Sequence, residues 1–311
     1  MYNILFTIGC RSDAGLSVPI IKRCIAALDG ECNPFFDVKI LELEPQCFSI
    51  SYARTEDYFT VHGKPDLIFI TGDRMEQCAA AACAFHNNVK ICHMYAGSTN
   101  NISTFDDVDR HCISLWADLC LCESVAAQWV VWDLKKAVGL TVNSFDVGIT
   151  HLDDLEIDES LVPKEKIEYD NYDGGYWQTK PYDLILYNTP TKTNYSKDIA
   201  QIRELIEGSY SVLVSGNPDG DAEMLLLGRE RCIDEVHIDL SRAQFLGLLK
   251  NCTRFLSNSS VCVYEAPYFL KPEQIIQIGE RNKGRGTVVC KPGGSNMVVK
   301  CIKEFLCQTV V

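Results

Sequence analysis

Short apolar runs alternate with amphipathic stretches from the start of the chain. Asn3 to Ile8 is a strand candidate, IIKRCIAAL has helical spacing, and FFDVKIL supplies a second strand. PDLIFIT, from Pro65 to Thr71, is almost continuously apolar, as a parallel strand covered on both faces requires. EQCAAAACAF then predicts a helix, VKICHMY a strand, the stretch from about Asp106 to Trp116 a helix, and DLCLC a strand with a helix pattern after Glu123. FDVG near Val147 closes the unit. Strands alternating with helices predict a doubly wound α/β domain over residues 1–150.

The pattern then lapses. His151 to Asp173 holds nine acids against two lysines and no sustained apolar period, so 151–180 is expected to be an acidic linker or surface excursion. Alternation restarts with DLILYN, IAQIRELI, SVLVSG, SRAQFLGLLK, RFLSN, QIIQIG and a last helix through VVKCIKEFL. Residues 181–311 are therefore expected to form a second Rossmann-like domain. Two such domains would leave an interdomain cleft at the carboxyl ends of their strands, where α/β folds bind ligands.

Composition narrows the possible functions. A chain of 311 residues, 47% apolar and 23% charged, suits two globular domains and excludes disordered, collagen-like and disulfide-scaffold classes. No window approaches the roughly 18 consecutive apolar residues that cross a bilayer, so no membrane partner is expected. MYNILFTIGCRSD lacks a basic segment and a small-residue cleavage site, so it reads as a first core strand in a cytoplasmic protein. The 16 cysteines include no CxxC pair and lie mainly in apolar runs, where they serve as small buried hydrophobes; no metal site is expected. A net charge of −13 opposes a nucleic-acid partner, although local arginines can still hold a small anion.

Asp73 and Arg74 directly follow PDLIFIT. A polar pair at the carboxyl end of a buried parallel strand suits proton transfer and oxyanion binding, while a helix cap by Asp73 is the structural counterpart. In STFDDVDRH, Asp106 and Asp107 fall in a first helical turn, and Asp107 shares a face with His111. Acids there also simply complement the helix dipole. SNSSVCVYEAP offers Ser259 and Ser260 with backbone amides at a helix start as an anion site, with Glu265 placed to reach a sugar hydroxyl; helix capping competes. Arg281 and Arg285 flank a glycine in IGERNKGR, as phosphate-binding forks or as solvated charge. Arg11 occupies the first βα turn, GCRSDAG, which has neither dinucleotide nor Walker A spacing.

Taken in order, GCRSD, PDLIFITGDRMEQCAAA, HMYAG with TFDDVDRH, FDVG, SNSSVCVYEAP and IGERNKGR resemble the UDP-N-acetylglucosamine 2-epimerase family, most of all its hydrolysing, sialic-acid-pathway type. The resemblance covers most of 1–150 and 180–290. It implies the two-domain GT-B fold, a UDP-linked 2-acetamido sugar as ligand, no cofactor, and a homodimer or homotetramer. It also implies removal of the sugar C2 proton with loss of UDP to give a 2-acetamidoglucal. Non-hydrolysing members then add UDP back, and hydrolysing members add water and release N-acetylmannosamine. By motif position, Asp73 and Asp106 or Asp107 would handle protons beside His111. Arg11, Arg74, Ser259, Ser260 and Arg281 would hold the diphosphate, and Glu265 the ribose.

Four positions depart from the family. Tyr95 in HMYAG replaces a glutamate, Asn188 in NTPT replaces a histidine, and Ser257 and Cys262 replace glycines around the serine pair. The lost glutamate and histidine favour a catalytically impaired UDP-sugar-binding module or a partner subunit of an active paralogue. A glycosyltransferase of the same fold would share the diphosphate site. The aspartates with DRH favour the epimerase.

Overall fold

A computed structural model describes residues 1–99, 105–169, 172–188, 196–215, 233–282 and 292–308. Contacts divide the chain into two units, Met1–Asp154 with Arg285–Val311, and Leu155–Gly284.

The first unit runs β1 (Tyr2–Ile8), α1 (Arg11–Ile25), β2 (Phe36–Glu42), α2 (Phe48–His62), β3 (Leu67–Thr71), α3 (Met75–His86), β4 (Ile91–Met94), α4 (Phe105–Trp116), β5 (Leu119–Cys122), α5 (Val125–Ala137) and β6 (Ser144–Asp146). The six strands form one parallel sheet in the order β2-β1-β3-β4-β5-β6. Every residue of β3 is buried, as its apolar run requires. Leu5, Ile68, Ile70 and Ile91 of the sheet pack with Ala80, Ala81 and Ala84 of α3, whose small side chains let the helix lie close. The turn after β4 needs Gly97. Its φ is +73°, and a Cβ there would stand 2.1 Å from the Ala127 carbonyl oxygen. Cys24, Cys78, Cys83, Cys92, Cys120 and Cys122 are buried free thiols that pack as apolar groups.

The second unit contains the antiparallel pair β7 (Lys164–Tyr169) and β8 (Tyr172–Thr179). It continues with β9 (Asp183–Leu186), α6 (Ser196–Ile206), β10 (Ser211–Val214), β11 (Glu235–His237), α7 (Arg242–Asn251), β12 (Arg254–Ser257), the single turns α8 (Val261–Tyr264) and α9 (Ala266–Phe269), and β13 (Ile275–Gln277). Its parallel sheet has the order β11-β10-β9-β12-β13.

Both ends of this second unit differ from the sequence expectation of a linker over 151–180 and a domain over 181–311. The final helix, α10 (Gly294–Gln308), packs beside α1 and against β5 in the first unit. Its apolar face of Val298, Ile302, Phe305 and Leu306 is buried there, and Asp153 accepts hydrogen bonds from the Gly293 and Ser295 amides at its start. The stretch from Leu155 onward joins the second unit, because Leu155, Leu161 and Val162 enter that unit's core. Among the described residues, no helix is long and apolar enough to cross a membrane.

One buried histidine ties β4 to the turn after β3. His93 Nε2 donates to the Gly72 carbonyl oxygen at 2.7 Å, because a carbonyl can only accept; Nδ1 therefore accepts from the Ser114 hydroxyl of α4 at 3.0 Å. The ring is neutral, and burial pushes its pKa down to about 3. An unfolded histidine takes up a proton near pH 6.5, so this contribution to stability is present above that value and is lost as pH falls toward 3. The fall in melting temperature between about pH 7 and pH 4 is expected to be shallower for His93→Gln than for the wild type. Parallel curves would show that His93 does not carry this dependence.

Candidate functional site

In a doubly wound sheet, ligands bind beyond the carboxyl ends of the strands where strand order reverses. The first unit reverses between β1 and β3, and the second between β9 and β12. GCRSD and Gly72-Asp73-Arg74 follow the first pair of strands, and Asn188 and Asn258-Ser259-Ser260 follow the second.

The turn after β1 is held from below by polar groups. The Gly9 amide donates to Asp13 Oδ2 at 3.0 Å, and Gln77 Nε2 donates to the same oxygen at 2.8 Å. The Thr7 hydroxyl donates to Gln77 Oε1 at 2.6 Å. Burial pushes the Asp13 carboxyl above its usual range, against the pull of these two donors. Fully buried Glu76 lies against Gly9, where a Cβ would come 2.4 Å from its Cγ. Glu76 accepts from Arg74 Nε at 2.5 Å and from the Gln46 amide at 3.2 Å. Arg74 is thus part of an internal ion pair at the rim of the turn. Arg11 opens α1, and its side chain lies outside the described part.

Asp73 forms an ion pair with Arg110 of α4, whose Nη1 also donates to the Tyr95 carbonyl oxygen at 3.0 Å. Asp73 does not cap α3; Arg74 takes the N-cap position, and its side chain makes no capping bond. Asp106 and Asp107 both sit in the first turn of α4, with Asp107 buried and Asp106 half-buried. Burial holds His111 below its ordinary pKa, opposed by the Asp107 carboxylate, and Nδ1 has no hydrogen-bond partner among the described residues. A neutral imidazole there can accept a proton. Asp109 is a further titratable group on this helix. Burial raises its pKa, a hydrogen bond with Cys78 opposes the rise, and the Asp73 charge adds to it.

Tyr95 follows β4 with a φ of +65°, a left-handed conformation that costs a non-glycine residue about 1–2 kcal/mol. Its ring is buried, and its hydroxyl lies 2.9 Å from His151 Nδ1 and 3.1 Å from Thr150 Oγ1. Sequence reasoning flagged Tyr95 only as a missing glutamate and passed over Arg110, although Arg110 lies within the quoted DRH. The spacing of Asp106 and Arg110, one helical turn apart, was the available signal.

In the second unit, the SNSS and GERN segments are tied together. Asn282 Nδ2 donates to the Ser259 carbonyl at 2.9 Å and to the Asn258 carbonyl at 3.3 Å, so the segment that carries Arg281, next to Asn282 in sequence, is tied to the serine loop. Asn258 bonds both backbone groups of Asn188, at 2.7 and 2.8 Å. Ser257, in place of a glycine, donates to the Leu186 carbonyl and accepts from the Ser259 amide, so the side chain latches the loop. Ser260 opens α8, which is one turn only, so the helix start expected to form an anion site has little dipole. Glu265 is buried and paired with Arg242 of α7 at 2.5 Å. Arg285 lies outside the described residues.

A family model described as UDP-N-acetylglucosamine 2-epimerase matches residues 52–309. The UDP-N,N'-diacetylbacillosamine 2-epimerase (hydrolyzing) of Legionella pneumophila is 25% identical over 230 residues, covering 71% of this chain and 58% of that protein. The UDP-N-acetylglucosamine 2-epimerase of Neisseria meningitidis serogroup B is 26% identical over 227 residues, covering 71% and 58%. The chain therefore spans about three fifths of the length of these curated relatives. In fold it resembles the crystal structure of a UDP-GlcNAc 2-epimerase from Neisseria meningitidis bound to UDP-GlcNAc, with a TM-score of 0.68, 13% identity, and coverage of 98% of this chain and 100% of that one. Its two Rossmann-like units are those of the GT-B fold, and the chain belongs to the UDP-N-acetylglucosamine 2-epimerase family.

Proposed function

We propose that the chain acts on a UDP-linked 2-acetamido sugar as a 2-epimerase. A base removes the C2 proton, the C2–H electron pair forms the C1–C2 double bond, and UDP leaves from C1 on the opposite face. The product is a 2-acetamidoglucal. Return of UDP to C1 with a proton to the other face of C2 gives the epimeric nucleotide sugar. Addition of water instead gives free N-acetylmannosamine when the substrate is the N-acetylglucosamine derivative.

The observation that carries this reading is the Asp73–Arg110 pair at the strand-order reversal, with Asp106, Asp107 and His111 on the same helix as the arginine. The C2 hydrogen is a very weak acid, so a proton acceptor must be held rigidly against it. Arg110 fixes the Asp73 carboxylate from one side. Asp106 or Asp107 returns a proton to C2, and neutral His111 assists that exchange. Ser259, Ser260 and Arg281 hold the diphosphate as its charge grows, with Arg11 and Arg74 as further cations, and Glu265 accepts from the ribose hydroxyls. Arg242, paired with Glu265, orients its carboxyl for that purpose.

The test is incubation with UDP-N-acetylglucosamine in D2O, followed by NMR of C2 deuteration, UDP release and free sugar. Deuterium at C2 with retained UDP marks a non-hydrolysing enzyme, and N-acetylmannosamine with free UDP a hydrolysing one. UDP-sugar binding without exchange for any 2-acetamido substrate would leave a binding module. Asp73→Asn is expected to lower exchange by about 100-fold or more while UDP affinity stays unchanged; turnover at the wild-type rate would remove Asp73 from proton transfer. Arg281→Ala is expected to weaken UDP binding by about 10- to 100-fold in calorimetry, and an unchanged affinity would exclude it from the diphosphate site.

A further inference from the structure

Tyr95 and His151 have no role in the proton or phosphate steps above, yet they are fully integrated into a chain of hydrogen bonds that ends at Asp73. The Thr150 hydroxyl donates to the Leu16 carbonyl at 3.1 Å, which commits its only proton. The Tyr95 hydroxyl, 3.1 Å away, therefore donates to Thr150 Oγ1 and in turn accepts from the Thr150 amide at 3.3 Å. With the phenol proton spent, His151 Nδ1 at 2.9 Å is the donor, which fixes the histidine tautomer. The phenol oxygen thus makes three hydrogen bonds to one loop. At the other end of the residue, the Tyr95 carbonyl accepts from Arg110, and Arg110 holds Asp73.

A large side chain in the left-handed region persists only where its surroundings hold it there, and such outliers gather at functional sites. Here the holding groups are Thr150 and His151, and the carbonyl direction that the backbone gains is the one that meets Arg110. We propose that Tyr95 is a positioning residue for the Asp73–Arg110 pair, with its phenol anchored on Thr150 and His151 as the lever that aims the carbonyl. The inference rests on the reading of Asp73 as the C2 base. Removing the phenol oxygen frees the backbone to relax to negative φ, turns the carbonyl away, and releases Arg110 from the orientation that fixes the carboxylate.

The experiment compares C2 exchange and UDP affinity in the wild type, Tyr95→Phe, His151→Ala and the double variant, at a temperature where all remain folded. A misplaced catalytic group costs on the order of 100-fold in rate, so kcat for Tyr95→Phe should fall by up to about 100-fold with KM and UDP affinity unchanged. His151→Ala should fall in the same direction, and the double variant no further than Tyr95→Phe, since both act through one lever. A purely structural role would lower the melting temperature and leave kcat of the folded variants alone. Unchanged kcat in Tyr95→Phe, or losses that add in the double variant, would overturn the proposal. A wild type without exchange would instead refute the epimerase reading. In that event the crystal structure of Tyr95→Phe decides: Arg110 turned from Asp73 supports the lever, and an unmoved pair refutes it.

Discussion

Parallel strands must be covered on both faces, and that demand shapes everything else in this chain. β1 and β3 send their following helices to opposite faces, so the ends of those two strands are left without a helix above them. β9 and β12 repeat the arrangement in the second unit. The polar residues that follow these four strands are therefore carried at the strand ends on a rigid base. Asp73 and Ser259 owe their placement to this topology more than to their immediate neighbours.

Under the first of these openings lies a layer of buried polar groups that an apolar core would not tolerate singly. Thr7, Asp13, Gln77, Glu76 and His93 are each satisfied by a named partner, and burial of an unsatisfied member would cost about 1–3 kcal/mol. The network is directional: it fixes the GCRSD turn from one side and the Gly72 carbonyl from the other. Such a layer gives the turns above it, and with them the Asp73 carboxylate, a base that does not yield.

What could be read in the sequence depended on whether the signal was local. PDLIFIT announced β3 because a strand buried on both faces has to be continuously apolar, and Asp73 became visible as the first polar residue beyond it. Arg110 stayed hidden because its meaning comes from a partner 37 residues away. Tyr95 was legible as a substitution in a motif, but its positive φ and its bond to His151 arise from packing and have no local signature. FSISYARTEDYFTVH was not read as a helix, since only Ser51, Thr55 and Phe59 of α2 are buried and they mark a narrow stripe. The last helix was evident from its spacing, but an apolar face shows only that something covers it. That the cover is α1 and β5 could not be read from the face itself.

The return of α10 to the first unit also sets an order of events during synthesis. As the chain leaves the ribosome, the sheet built by residues 2–146 appears before the second unit, yet one of the helices that cover it is made after that unit. The intervening unit is contiguous from Leu155 to Gly284 and can complete its own core while the earlier one still exposes the apolar surface that Val298, Ile302 and Phe305 later bury. The unit that is started earlier is thus the one whose covering is completed later.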